Sequence, residues 1–343
     1  MDPSYDAIVL AGDRRDSHTV FGENKAFLEI EGVPLLNHVL VALDRAPSIR
    51  HAFIVGNPDR LREALSIAEK KGLRLPVTIV PQEEDLWGNF WAGYVRTLSP
   101  ATRDRIASGE RAEKAATPEE RDRRVLALSG DIPLVQPAEI EAFLAAAAAS
   151  GADYAAGLTS EETLEPFHPA PGRPGIRMAY FQLREGRSRQ NNLHLARPLR
   201  VAHLERTERM YRHRYQRNAA DAVRMGIAIL KTRAVGLSIL WGFLLLHLAM
   251  KLDMAGRRGA SDFLRRFLPA ARAEYAISRM LGCEFRLIRV PSPGAALDVD
   301  HESDFEALRA QFADWRARLA GGSPSESVGG RGACRAGGVG GER

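Results

Sequence analysis

The sequence predicts an α/β protein: a mainly parallel, twisted sheet with helices on both faces, plus a mostly helical insertion. Three observations carry that expectation. Over the first 150 residues short apolar runs alternate with stretches of helical length. Several of those runs stop at Gly, Ser, Asn or Asp, and beyond residue 196 the pattern changes to longer helical stretches. Strands alternating with helices of this length build βαβ units with right-handed crossovers.

The elements follow in order. Ala7–Leu10 is an apolar run stopped by Ala11-Gly12, and Leu35–Leu43 has a helical pattern. Ala52–Val55 is a second strand, Arg60–Lys71 a helix, Val77–Val80 a third strand and Trp87–Leu98 a helix. The charge-dense segment Ala101–Arg124 reads as a solvated helical excursion. Val125–Leu128 is a fourth strand ending at Ser129-Gly130-Asp131, and Pro137–Ala149 an Ala-rich helix. Ala152–Ala156 is a fifth strand, and a Pro/Gly-rich loop covers Pro166–Gly175. Arg177–Leu183 and Asn192–Ala196 are further strands around a turn at Arg184–Arg187. Leu204–Ile229 reads as a basic helix, Ala234–Met250 as an apolar one and Ser261–Leu268 as a short amphipathic one. Phe285–Val290 returns as a strand, and Asp304–Leu319 closes the fold as a helix. The expected single domain is therefore residues 1–320, divided into 5–160, a part over 161–284 with the helical insertion, and a closing strand and helix over 285–320. The Gly-rich tail 321–343 has no apolar period and is expected to be disordered.

Composition narrows the function. Hydrophobic residues make up 45% and charged residues 27% of the chain, which is globular composition. Much of the net charge of +5 is local: seven arginines stand between Arg197 and Arg217 against Glu205 and Glu208. Such a face can meet phosphates, nucleic acid or an anionic membrane. Cys283 and Cys334 give no disulfide framework, and no CxxC or HExxH spacing occurs. The acidic start MDPSYDAIVLAG lacks a signal-peptide pattern, so a cytoplasmic location is expected.

Open parallel sheets bind ligands at strand ends, and three such ends carry chemistry. Leu10-Ala11-Gly12-Asp13-Arg14-Arg15 leads to Phe21-Gly22-Glu23-Asn24-Lys25. A glycine turn lets backbone N–H groups approach phosphate, and the cations add neutralising charge. Ser129-Gly130-Asp131-Ile132-Pro133-Leu134 presents a carboxylate suited to Mg²⁺ (or Mn²⁺), with helix capping as its bland alternative. Asp298 and Asp300 alternate ahead of the last helix, where an extended chain projects both to one side, and Asp304 is placed to stabilise the helix dipole.

The five motifs LAG, FGENK, GVPLL, SGDIPL and LDVDHESDF, in that order, resemble the nucleotidyltransferase family with a GT-A-like, Rossmann-like fold. Its members include molybdenum-cofactor guanylyl- and cytidylyltransferases, sugar-phosphate nucleotidylyltransferases and CMP-sugar synthetases. The resemblance implies that Leu10, Ala11 and Gly12 wrap a triphosphate and that Lys25 contacts it. It further implies that Gln82, Gly88 and Asn89 lie on the base side, and that Asp131 and Asp300 hold the metal. The family's second turn glycine is Asp13 here and its arginine is Val20, so Arg14 and Arg15 are the candidate replacements. The implied partners are a nucleoside triphosphate and a phosphorylated small-molecule or lipid-linked acceptor. No nucleic acid is expected, because Tyr211 and Tyr215 are too few to stack bases.

The segment 165–280 matches no motif. Asn191, Asn192 and His194 are the acceptor-binding candidates there, with turn chemistry as the alternative for the asparagines. The apolar stretch Ala234–Met250 is buried core, docks peripherally, through 204–250, at the inner face of a membrane, or spans it, the last disfavoured by a length of about 25 Å against a hydrocarbon core of roughly 30 Å. Two competing functions remain open: a GT-A-like glycosyltransferase using a nucleotide-sugar donor, and a non-catalytic nucleotide-binding protein. Asp298-Val299-Asp300, the DxD a glycosyltransferase would need after a central strand, sits near the C-terminus instead.

Overall fold

The computed structural model describes residues 4–12, 19–202 and 237–321. Its main sheet has eight strands. These are β1 (Tyr5–Ala11), β6 (Ile49–Gly56), β7 (Val77–Pro81), β8 (Val125–Ser129), β9 (Tyr154–Ser160), β10 (Phe181–Leu183), β11 (Gly186–Ala196) and β12 (Phe285–Arg289). They run in the order β7-β6-β1-β8-β11-β9-β12, with β10 added to β11. The pairs β1–β6, β1–β8, β6–β7 and β9–β12 are parallel. β11 runs against both β8 and β9. The sheet is thus the expected Rossmann-like one with a single reversed strand at its centre.

The apolar runs are continuous because both faces of the sheet are covered. Ala7, Val9, Ala52 and Ile54 pack in one cluster with α1 (Leu35–Asp44), α2 (Pro58–Lys70) and α7 (Pro137–Ala149). Ile8, Phe53 and Val55 face the other side, toward Tyr94 of α3 (Leu86–Thr97). Between β1 and α1 lie two small ribbons, β2–β3 (Thr19–Val20, Glu23–Asn24) and β4–β5 (Glu29–Ile30, Val33–Pro34). The Glu31-Gly32 turn of the second has positive φ at both residues, 55° and 70°, which suits the twist of a two-residue hairpin.

The charged excursion is three short helices, α4 (Pro100–Ala107), α5 (Ala112–Ala115) and α6 (Pro118–Arg121). Glu120 holds it together: its buried carboxylate accepts from Ser99 N, Thr102 Oγ1 and Thr117 N. Burial opposes that charge, but those donors win and hold the carboxyl low, at about 2. After β9 comes the one-turn helix α8 (Glu161–Leu164).

The insertion contains α9 (Leu237–Met254), α10 (Arg258–Arg265) and α11 (Ala270–Leu281), followed by the closing helix α12 (Glu302–Ala320). α9 runs four residues past the expected end, and α11 lies where no helix was expected. The expected basic helix 204–229 and the tail beyond 321 lie outside the described residues. Among the described residues no helix is long and apolar enough to cross a membrane.

Candidate active site

The chain leaves β1 toward β6 on one side, and returns from β7 to β8 on the other. That switch point opens a crevice beyond the C-terminal ends of β1 and β8. The two ends are locked in register, Leu10 opposite Ser129, and Gly130 N donates to Leu10 O at 2.9 Å. Gly12 and Asp131 therefore leave neighbouring strands side by side.

Lys25 is carried into this crevice by a 3₁₀ turn, Lys25–Phe27, capped by Asn24. The buried Asn24 side chain accepts from Ala26 N at 3.0 Å and donates to Ala11 O at 2.9 Å. One asparagine thus ties the end of β1 to the lysine. Lys25 Nζ lies 2.8 Å from Asp300 Oδ1 and 3.8 Å from Asp131 Oδ2. Asp131 also accepts a short hydrogen bond from Ser129 Oγ. On the far side Arg189 of β11 donates to Asp298 at 2.7 Å and lies 3.8 Å from Asp300. The five charged groups form one cluster, mostly buried except for Asp300, whose side chain is 47% exposed.

Burial opposes the charge of Lys25, but Asp131 and Asp300 outweigh it and hold the ammonium above its usual range. Asp300 is desolvated as well, yet Lys25 and Arg189 hold its carboxyl below the usual range. Asp131 goes the other way. Burial pushes it up to about 6 despite Lys25, and Asp298 and Asp300 add like-charge repulsion. Burial opposes Arg189 too, but Asp298 holds it fully charged.

The base-side candidates also come together. A Cβ on Gly12 would lie 2.5 Å from Asn89 Nδ2 and 3.3 Å from Gln82 Oε1. Asn89, buried in the first turn of α3, accepts from Glu83 N at 2.6 Å, which fixes its face. Gly88 N donates to the N-cap residue Asp85 at 2.7 Å, so this glycine shapes the helix start.

The strand expected at Asn192–Ala196 is longer and reversed. β11 begins at Gly186, six residues before the expected strand, and it runs antiparallel. Its beginning, not its middle, therefore reaches the crevice, and Arg189 stands there. Asn191 is buried: its side chain accepts from Leu193 N at 3.1 Å and donates to Thr159 at 3.3 Å, filling the space over Gly157. It has no room to meet an acceptor. Asn192 donates to Ala295 O at 3.1 Å, and His194 shares a 2.9 Å hydrogen bond with Tyr154. The Asp298–Asp300 segment is a second correction. It follows a 3₁₀ turn, Gly294–Ala296, rather than a strand, but its two aspartates do turn to one side, both reaching Arg189 while Asp300 also meets Lys25. Asp304 behaves as expected, accepting from His301 N and Asp300 N at the start of α12. Arg14 and Arg15 lie outside the described residues.

A MobA-like NTP transferase domain model matches residues 7–196, more than half of the chain. The chain belongs to that family. The matched span holds Gly12, Lys25, Asp131 and Arg189, while Asp298 and Asp300 come from beyond it. The chain is 26% identical, over 154 residues, to a 2-C-methyl-D-erythritol 4-phosphate cytidylyltransferase from Chlorobium phaeovibrioides. That stretch is 44% of this chain and 56% of that protein, so the chain spans about half the length of the curated relative it matches. A hypothetical transferase from Thermus thermophilus shares the fold at a TM-score of 0.57 and 24% identity, over 88% of this chain and 99% of that one. A 4-diphosphocytidyl-2C-methyl-D-erythritol synthase from Anaerococcus prevotii matches at a TM-score of 0.46 and 10% identity, over 91% of this chain and 100% of that one.

Proposed function

We propose that the chain transfers a nucleoside monophosphate from a nucleoside triphosphate to a phosphorylated acceptor and releases pyrophosphate. The observation that carries this reading is the meeting of Lys25, Asp131 and Asp300 at the mouth of β1 and β8. In the reaction an acceptor phosphate oxygen bonds to the α-phosphorus, the bond to the bridging oxygen breaks, and the electron pair leaves with pyrophosphate. Such transfer depends on positioning and on neutralising charge.

The turn Leu10–Gly12 offers backbone N–H groups to the triphosphate, and Gln82 and Asn89 face the base. Lys25 neutralises phosphate charge, a role Arg14 and Arg15 share in this reading. Arg189 meets the acceptor phosphate. The hard oxygens of Asp131 and Asp300 converge on a single cationic atom, which fits Mg²⁺ or Mn²⁺ with phosphate oxygens as further ligands. When bound, that ion would supply charge neutralisation.

The rest of the acceptor extends, in this reading, into a cavity of about 650 Å³ lined by Glu161, His168, Tyr180, Asp253 and Arg258 among others. A lipid-linked acceptor and peripheral membrane contact through 204–250 belong to the same reading. They are supported by the exposed stripe Trp241, Leu244 and Leu248 on α9.

Pyrophosphate release is the test, with each nucleoside triphosphate paired with polyol, sugar and alcohol phosphates in Mg²⁺. CTP goes first, because the curated relative is a cytidylyltransferase. Acceptor-dependent pyrophosphate is expected. Consumption of a nucleotide sugar without pyrophosphate would replace the reading with glycosyl transfer. Nucleotide binding without turnover in any pairing would leave a binding protein.

A further inference from the structure

The two halves of the charge cluster come from distant parts of the chain. Asp131 follows β8, whereas Asp298 and Asp300 precede α12. Three carboxylates repel one another, so something must hold the second segment against the first. Lys25 and Arg189 contribute, but both face ligands in the proposed reaction. A holder that faces no ligand sits behind them.

Glu139, in the first turn of α7, is only 2% exposed. A carboxylate there normally serves its own helix, and Glu139 does accept from Gln136 N at 3.4 Å. Its shorter bond goes elsewhere: Oε1 accepts from Ala295 N at 3.0 Å, across 156 residues of sequence. The other side of the same residue is held too, since Asn192 donates to Ala295 O at 3.1 Å.

Gly294 makes the approach possible. A Cβ there would lie 2.7 Å from Glu139 Oε2 and would collide with Leu134 O. Leu134 belongs to the loop that carries Asp131, so both aspartate-bearing loops are pressed together at this point. Ala295, Ala296 and Leu297 are fully buried, and Asp298 follows directly. Downstream, Asp304 holds the amides of Asp300 and His301. The segment between Ala295 and Asp304 is thus pinned at both ends by carboxyl groups whose oxygens accept backbone N–H groups. Burying Glu139 is unfavourable for its charge and pushes its carboxyl up to about 8. An exposed cap would serve the helix without that cost.

We propose that Glu139 is a positioning residue for nucleotidyl transfer, setting the distance between Asp131 and the Asp298–Asp300 pair through the backbone of Ala295. This rests on the transferase reading. Misplacing a reacting group by about 1 Å can cost on the order of 100-fold in rate. Glu139→Ala should lower kcat by about that factor, with KM for the nucleoside triphosphate within about threefold of the parent value. Glu139→Gln keeps a carbonyl for Ala295 N but turns an NH₂ toward Gln136 N. It should lose only about tenfold, recovering the other tenfold of the loss in Glu139→Ala.

Amide hydrogen exchange of the full chain, read by peptide, supplies a measurement independent of turnover. Exchange over 292–301 should quicken in Glu139→Ala while β1 and β8 peptides stay as in the parent. Unchanged exchange over 292–301, or kcat within about twofold of the parent in Glu139→Ala, overturns the proposal. So does faster exchange throughout the sheet in both variants, which would make Glu139 a general stabiliser. A parent chain that releases no pyrophosphate would sink the transferase reading, while exchange over 292–301 would still decide whether Glu139 holds the segment.

Discussion

Replacing Asp131 by asparagine should make the metal-free protein more stable while abolishing its chemistry. The unfolded carboxyl titrates near 3.8 and the folded one near 6, because burial and the neighbouring Asp298 and Asp300 outweigh the attraction of Lys25. The fold therefore favours the protonated form. Stability linked to this group is complete below the unfolded value and is lost as pH rises through the folded one. At about 1.4 kcal/mol for each tenfold change in the titration constant, holding the ionised carboxylate opposes folding by up to about 3 kcal/mol above pH 7. Asparagine has nearly the shape of the protonated acid and carries no charge at any pH. Urea denaturation in the presence of a chelator, from pH 4 to pH 8, measures the difference. The two proteins should be about equal at pH 4, and the variant ahead by about 1–3 kcal/mol at pH 8. Pyrophosphate release should be absent. A variant less stable than the parent at pH 8, or a gap that does not change with pH, would show that Lys25 dominates Asp131 and refute this account of the charge balance.

Lys25→Ala should weaken nucleoside triphosphate binding by calorimetry and slow transfer. It should also destabilise by about 1–2 kcal/mol, since two partly buried carboxylates lose their cation; unaltered nucleotide affinity would remove Lys25 from the phosphate site. Gly93→Ala tests the packing of α3 on the sheet. Its Cβ would lie 2.7 Å from Ile8 Cγ2 and 3.0 Å from Val55 Cγ2, so thermal unfolding should show a loss of about 1–3 kcal/mol. A neutral result would mean that the helix slides without strain. Flotation with anionic vesicles should show binding at low salt that falls steeply as salt rises. Absence of binding at low salt would remove the membrane reading.

The nucleotide half was legible because each of its signals is local. Strands buried on both faces must be apolar throughout, so Ala7–Leu10 and Val125–Leu128 announce themselves. The turn and the GD dipeptide follow directly in sequence. What the sequence hid depends on distant partners. Residues 186–191 are Gly, Arg, Ser, Arg, Gln and Asn, a composition that reads as a loop. They form a strand because Arg187 finds Asp253 and Asp262, Arg189 finds Asp298, and Asn191 fills the space over a glycine. None of those partners lies within 30 residues in sequence. Asn24 was passed over for a similar reason: its acceptor, Ala11 O, is backbone and carries no sequence signal. α11 escaped notice because it buries little, with Leu281 its one fully buried residue among those described.

The reversal of β11 explains how one crevice comes to hold groups of two origins. In a wholly parallel sheet every strand would present its C-terminal end there, each followed by its own loop. β11, inserted backwards between β8 and β9, presents its beginning instead, so a cation can be mounted on the strand itself. Arg189 is fixed by ladder bonds, whereas Lys25 stands on a turn held by Asn24. Asp300 lies within 4 Å of both cations, 2.8 Å from the lysine and 3.8 Å from the arginine. It is also the most exposed member of the cluster. A carboxylate shared by two cations of different origin responds to whichever of them is drawn away by a phosphate. Nucleotide bound at Lys25 and acceptor bound at Arg189 would each loosen one hold on Asp300. The backbone of its segment must then be fixed from elsewhere, and the bonds from Glu139 and Asp304 are where the structure fixes it.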